Sequence, residues 1–198
     1  MKRIPALVLA LLLMFPTLAL AGGVIPNLRD TPTAAPEAEA VFTFRGGVHW
    51  NMTRELVKSL ESLELMEQSR DGWSILIPLT RVEVSKFNAD LVYMFYNDRL
   101  KMISYDFGAG GTEADFQYLT GALDSVYGDH TEPEASEIKG IMDQIYPGYY
   151  EEPRLLNRKA WKAGGDTLIY LYYYADGAYA ILYVSAGAGP QSYVTTGL

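Results

Sequence analysis

The stretch DTLIYLYYYADGAYAILYVS, residues 166–185, is two runs of aliphatic, β-branched and aromatic residues around Asp176-Gly177. Such runs suit strands, and Asp-Gly between them is a strong signal for a two-residue hairpin turn. A two-residue turn sets the register. Tyr174 then faces Tyr179, Tyr172 faces Ile181 and Tyr170 faces Tyr183, all on one side of the ribbon. The other side pairs Tyr173 with Ala180, Leu171 with Leu182 and Ile169 with Val184, an ordinary core face. Tyr170, Tyr172, Tyr174, Tyr179 and Tyr183 are thereby gathered as a candidate protein-binding face. Each ring can cover roughly 150–250 Å², and a solvent-facing apolar patch of that combined size suggests a partner. The same pattern also suits packing, because tyrosine favours a half-buried sheet face with its hydroxyl in water. Both readings stand on the sequence.

Outward from this hairpin, the chain alternates helical and strand patterns. ADLVYMFYNDRLKMISYDF, residues 89–107, reads as a second hairpin about Asn97-Asp98, whose residues both tolerate positive φ. That turn pairs Phe95 with Leu100 and Tyr93 with Met102 on a core face, and Tyr96 with Arg99 and Met94 with Lys101 on a half-wet one. WSILIPLTRVEV, residues 73–84, holds one or two strands, with Pro78 marking an edge or break. A helix starts after the N-cap Thr53, with Leu56, Val57, Leu60 and Leu63 as its apolar face. A second follows Thr112, where Thr112 and Asp115 approximate a capping box; Phe116, Leu119, Leu123 and Val126 form its stripe and Gly128 its stop. A third spans Glu134 to Tyr146, with Ile138, Ile141, Met142 and Ile145 as its stripe and Pro147-Gly148 as its end. Residues 149–166 read as loop or irregular strand. The expected class is α+β: an antiparallel sheet with helices packed on one face, in an order that suggests tandem helix-plus-hairpin halves over 41–107 and 112–185.

The N-terminus reads differently. Lys2 and Arg3 precede an apolar run from Ile4 to Leu20, and Ala19-Leu20-Ala21 has the small-x-small form of a signal-peptide cleavage site. We expect residues 1–21 to be a signal peptide cleaved after Ala21, residues 22–40 a flexible linker rich in Pro, Ala and Glu, residues 41–187 one domain, and residues 188–198 a tail. The expected location is secreted, periplasmic or cell envelope. The chain has no cysteine, so its stability must come from its core, and a lipid anchor on cysteine is excluded. The net charge is −8, and cleavage would take it to about −10. That balance argues against nucleic acid and against anionic membranes. It names no particular partner and reads as the solubility charge of an exported protein, so the expected protein partner rests on the tyrosine face instead.

FTFRGGVHWNMTRELVKSLE, residues 42–61, resembles the Phe-x-Phe-Arg-Gly-x-x-Trp-x-x-Ser/Thr-x-x-x-Val start of uncharacterised exported proteins of Firmicutes. Phe42, Phe44, Arg45, Gly46, Trp50, Thr53 and Val57 carry the match, with one extra residue at Gly47 or Val48. DLVYMFYNDRLKMISYDF is similar to the Tyr-x-Phe-x-x-x-x-Leu hairpin of those proteins. The helix-then-hairpin order also resembles the outer-membrane-assembly lipoproteins of the SmpA/OmlA (BamE) type and the β-lactamase inhibitor proteins (BLIP-like). The resemblance implies an α/β layer fold whose sheet surface meets protein partners, without catalytic residues. The missing lipobox cysteine departs from the lipoprotein branch.

No chemistry-bearing motif stands out, and no cofactor is expected. Thiol nucleophiles and cysteine metal sites are absent with cysteine itself. His49 precedes a helix and reads as structural. His130 lies beside Asp129, Glu132, Glu134 and Glu137, which could hold Ca²⁺ or Zn²⁺ weakly but read better as a solvated loop entering an acid-rich helix start. There is no Gly-x-Ser-x-Gly elbow, Walker loop or dinucleotide fingerprint. The expected function is an exported, non-enzymatic, protein-binding or inhibitor-like module using the tyrosine face. The alternative is a hydrolase acting on cell wall or extracellular polymer, for which a convergent pair of carboxylates in a cleft would be the mark.

Overall fold

Ala175, Asp176 and Gly177 form a three-residue loop, one residue longer than Asp-Gly alone predicts. Tyr174 N donates to Ala178 O at 2.8 Å, and Gly177 N donates to Tyr174 O at 3.0 Å. Gly177 is left-handed (φ 81°) while Asp176 is not, the signature of a type I turn followed by a left-handed bulge residue. A two-residue turn of type I′ has both central residues left-handed, and the second hairpin has that: Asn97 at φ 51° and Asp98 at φ 57°.

The computed structural model describes residues 41–70, 72–145, 155–164 and 166–186. The expected signal peptide, linker, C-terminal tail and Pro147-Gly148 stop lie outside them. Among the described residues eight strands form one antiparallel sheet: β1 (Leu65–Arg70), β2 (Trp73–Pro78), β3 (Val82–Val84), β4 (Phe87–Tyr96), β5 (Arg99–Asp106), β6 (Leu155–Ala163), β7 (Thr167–Tyr174) and β8 (Tyr179–Ser185). Their order is β1-β2-β4-β5-β8-β7-β6, with β3 paired to β4 alone. Three helices accompany them: α1 (Arg54–Leu60), α2 (Glu113–Tyr127) and α3 (Ala135–Ile145). The chain is an α+β protein. No helix among the described residues is long and apolar enough to cross a membrane.

Both N-caps work as read. Thr53 accepts from Leu56 N, and Thr112 and Asp115 close a reciprocal capping box. The apolar stripes are shorter than expected. Val57 is buried while Leu56 and Leu60 are exposed, and α2 buries Phe116, Leu119 and Leu123 but not Val126. α1 stops at Leu60, and the chain beyond it becomes the edge strand β1.

The helices do not share one face. Val57 of α1 packs with Leu76, Leu91 and Tyr93, and α2 packs with Trp161, Ile169 and Leu171 on the same side of the sheet. α3 lies on the other side, with Ile138 buried against Tyr170 and Tyr172. The sheet is therefore apolar on both faces. This also corrects the half-wet face of the β4–β5 hairpin. Phe95 pairs with Leu100 and Tyr96 with Arg99 as expected, but a bulge shifts the ladder so that Met94 meets Met102 and Tyr93 meets Ile103. Met94 and Met102 are both buried in the α3-side core.

Candidate functional site

The longer β7–β8 loop divides the expected tyrosine face. The observed pairs are Tyr173 with Tyr179, Tyr172 with Ala180, Leu171 with Ile181, Tyr170 with Leu182 and Ile169 with Tyr183. A slip of one residue turns every β8 side chain to the opposite face relative to β7. Tyr170, Tyr172 and Tyr174 stay together on the α3 side; Tyr179 and Tyr183 face α1 and α2. The five residues form no single surface.

Their surroundings differ too. Tyr170 is 2% exposed and Tyr172 5%, both in the core beneath α3. The Tyr170 hydroxyl donates to Glu137 Oε1 at 2.6 Å. Its pKa is pushed well up by burial, with the Glu137 hydrogen bond adding to the effect. Tyr174 is half-buried, its ring edge-on to Tyr172 at 5.4 Å. Tyr179 is buried and stacked on Phe107, with centroids 4.7 Å apart and planes 10° apart. Tyr183 alone lines an open cleft.

That cleft holds about 590 Å³ and is lined by Arg45, Gly46, Leu60, Glu61, Ser62, Val82, Glu83, Val84, Tyr105 and Tyr183. Three parts of the fold supply it. The Arg45–Gly47 turn and the C-terminal end of α1 bring the first five residues. β3 brings the next three. The outward side chains of β5 and β8 bring the two tyrosines.

The polar centre of the cleft is Glu61, whose side chain is only 3% exposed. It is the C-cap of α1. Its Oε1 accepts from Arg45 Nη2 at 3.3 Å, from Ser62 N at 2.9 Å and from Leu63 N at 3.3 Å; its Oε2 accepts from the Tyr93 hydroxyl at 2.8 Å. A buried carboxylate needs such donors, since burying it unpaired costs several kcal/mol. Burial and the Glu61 hydrogen bond push the Tyr93 hydroxyl pKa far up. Burial raises Tyr105 as well, and raises Tyr183 far, with help from the neighbouring Tyr127. The cleft hydroxyls are therefore neutral at physiological pH and able to donate or accept.

The N-terminal motif builds this wall. Phe42 and Phe44 stand edge-on at 5.0 Å, Phe44 packs on Trp50 at 4.8 Å and on Tyr183 at 5.4 Å, and Phe42 reaches Tyr183 at 6.2 Å. Trp50 Nε1 donates to Thr167 Oγ1 at 2.8 Å, tying the wall to β7. Arg45 supplies the cation for Glu61. Glu61, Tyr93, Tyr105 and the β3 residues carry no local signature in the sequence; they meet only through the sheet order. Tyr105 is recognisable in advance only as an alternate residue of β5.

The histidines stand elsewhere. His130 Nδ1 lies 2.8 Å from Asp124 Oδ1, which also accepts from Trp161 Nε1 at 3.0 Å, and the His130 ring meets Trp161 edge-on. The His130 hydrogen bond holds the Asp124 carboxyl below its usual range. His49 Nδ1 sits 3.0 Å from Trp50 O. Among the described residues no group of three or more His, Asp or Glu side chains is placed to hold a metal ion.

Comparison with known protein families, curated proteins and solved structures gives no match to this chain.

Proposed function

We propose that the protein is an exported, non-catalytic binding module, and that its ligand enters the cleft between the Arg45–Gly47 turn, the end of α1 and β3. The export part rests on the signal-like residues 1–21. The carrying observation for the binding part is an open cleft of about 590 Å³ with two tyrosine rings, aliphatic walls and a fully satisfied carboxylate. Ligand sites are typically apolar clefts of roughly 300–1,000 Å³ with a few fixed polar groups. The contact surface of the module is then the Tyr105–Tyr183 side of the sheet, not a ribbon of five tyrosines.

A thermal-shift screen of the chain against peptides, glycans and small metabolites tests this. Ser62→Trp places an indole at an exposed position of the cleft lining. A ligand that raises Tm in the wild type and not in Ser62→Trp supports the reading. Ligands that act equally on both proteins remove the cleft from consideration.

A second reading is a polymer hydrolase, for which the cleft offers Glu61 and, on the adjoining β3, Glu83. It requires Glu61 to exchange a proton or attack a sugar, yet Arg45, Tyr93 and two backbone N–H groups already occupy its oxygens. Release of reducing ends from peptidoglycan or another glycan, abolished by both Glu61→Gln and Glu83→Gln, would establish it over the first.

A further inference from the structure

We infer that the occupant of the cleft is an extended segment of a partner protein, added as a strand to the free edge of β3. It would place one large apolar side chain beside Tyr105 and Tyr183, with a basic residue next to it. This rests on the binding reading above and names the chemistry of its ligand.

The first observation is the way β3 meets the cleft. Val82, Glu83 and Val84 all line it. Successive residues of a strand point to opposite faces. Three in a row can border one space only if the edge of the strand, its main chain, faces that space. β3 pairs on one side with β4, through Val82 with Ala89, Glu83 with Asn88 and Val84 with Phe87. Among the described residues no other backbone group bonds to β3. In an antiparallel strand the N–H and C=O groups of alternate residues point to opposite edges. The Ser85-Lys86 turn closes on the Val84–Phe87 pair, so Val82 and Val84 turn their main-chain groups to β4, and Glu83 turns one N–H and one C=O to the outer edge, where no described backbone group meets them.

A free N–H and C=O pair beside a side-chain pocket is a start point for strand addition: backbone hydrogen bonds hold the peptide and the pocket selects its alternate residues. A saccharide hydroxyl can meet a single edge group, but a peptide main chain returns an N–H and a C=O together at strand spacing.

Charge sets the second element of the partner. Arg45 is engaged by Glu61, and Glu83 is exposed at the β3 rim. The chain as a whole carries −8. A lysine or arginine next to the buried residue of the partner would meet Glu83, and the overall charge would speed its approach.

The test is a phage-displayed library of random dodecapeptides panned against the full chain, with Ser62→Trp as counter-selection. The expected result is a consensus with a large apolar residue and Lys or Arg within two positions. In a synthetic consensus peptide, N-methylation at alternating positions should weaken binding about tenfold, the cost of roughly one backbone hydrogen bond. Methylation at the intervening positions should leave it unchanged. Glu83→Lys should weaken binding and flatten its salt dependence. A consensus with no alternation in the methyl scan overturns strand addition. No enrichment overturns it as well, and a glycan that then passes the Ser62→Trp test would leave the cleft reading standing. Concentration-dependent mass of the free chain, abolished by Glu83→Lys, would make a second copy the occupant and overturn the foreign partner.

Discussion

The Tyr93 hydroxyl donates a 2.8 Å hydrogen bond to Glu61 Oε2, joining the middle of β4 to the C-cap of α1 across 32 positions of sequence. Arg45 holds the other oxygen of the same carboxylate. Removing one member strands the others, because a desolvated donor or charge left unmatched costs about 1–3 kcal/mol. Glu61→Leu is expected to lower stability by about 3 kcal/mol, and Tyr93→Phe by about 1 kcal/mol, since it keeps the ring. A urea-melt double-mutant cycle should show the pair non-additive by more than about 0.5 kcal/mol. Strict additivity would mean the bond contributes nothing net.

Tyr172 decides the fate of the tyrosine face. It is buried among Trp73, Met94, Leu182 and Ile138. Tyr172→Thr keeps β propensity and removes the ring. A loss near the ~3–5 kcal/mol of buried aromatic truncations is expected. For a chain of this size that is a fall in Tm of roughly 10 °C. A change of only a degree or two would mean the ring is exposed in solution and would return Tyr170, Tyr172 and Tyr174 to the surface.

Gly111 and Gly121 should respond in opposite directions to the same substitution. A Cβ at Gly111 would stand 2.0 Å from Tyr179 Cε1 and 3.0 Å from Gly177 O. The ring cannot swing aside freely, because it is stacked on Phe107. Gly111→Ala should cost about 3 kcal/mol by overpacking. Gly121 lies in the exposed part of α2 with nothing near its Cβ position, so Gly121→Ala should add about 0.5–1 kcal/mol of stability. Chemical denaturation of the two variants side by side checks both signs.

Local chemistry was legible in the sequence where one interaction dominates. Thr53 and the Thr112–Asp115 pair announce helix starts because a cap is a contact over three residues. Asn97-Asp98 announces its turn because both residues take positive φ. The β7–β8 register was not legible. Asp176-Gly177 fits a two-residue turn and a three-residue loop alike, and the choice is made by distant contacts. Gly111 N donates to Gly177 O at 2.9 Å, and Phe107 N donates to Tyr179 O at 3.1 Å. The cleft was illegible for the same reason, since Arg45, Glu61, Val82, Tyr105 and Tyr183 meet only once β5 lies beside β8. The position of α3 follows a similar logic. Its apolar stripe says that Ile138 is buried, but a two-faced core offers two places to bury it.

The buried tyrosines give the protein an alkaline limit. Burial raises the hydroxyl pKa of Tyr93, Tyr105, Tyr170, Tyr179 and Tyr183 above the ordinary value, which is about 10 in an unfolded chain. Above that pH the unfolded chain loses these protons while the folded chain keeps them. Unfolding then releases protons, and stability falls as pH rises. Below about pH 10 both states hold the protons and the groups contribute no slope. Tm should therefore be level with respect to these groups from neutral pH to roughly 9.5 and decline beyond it. Tyr183→Phe should make the decline shallower, because one shifted group is gone, and Tyr93→Phe should do the same. Alkaline slopes in both variants equal to that of the wild type would show that Tyr93 and Tyr183 are open to water in solution, and the buried floor assigned to the cleft would have to be withdrawn.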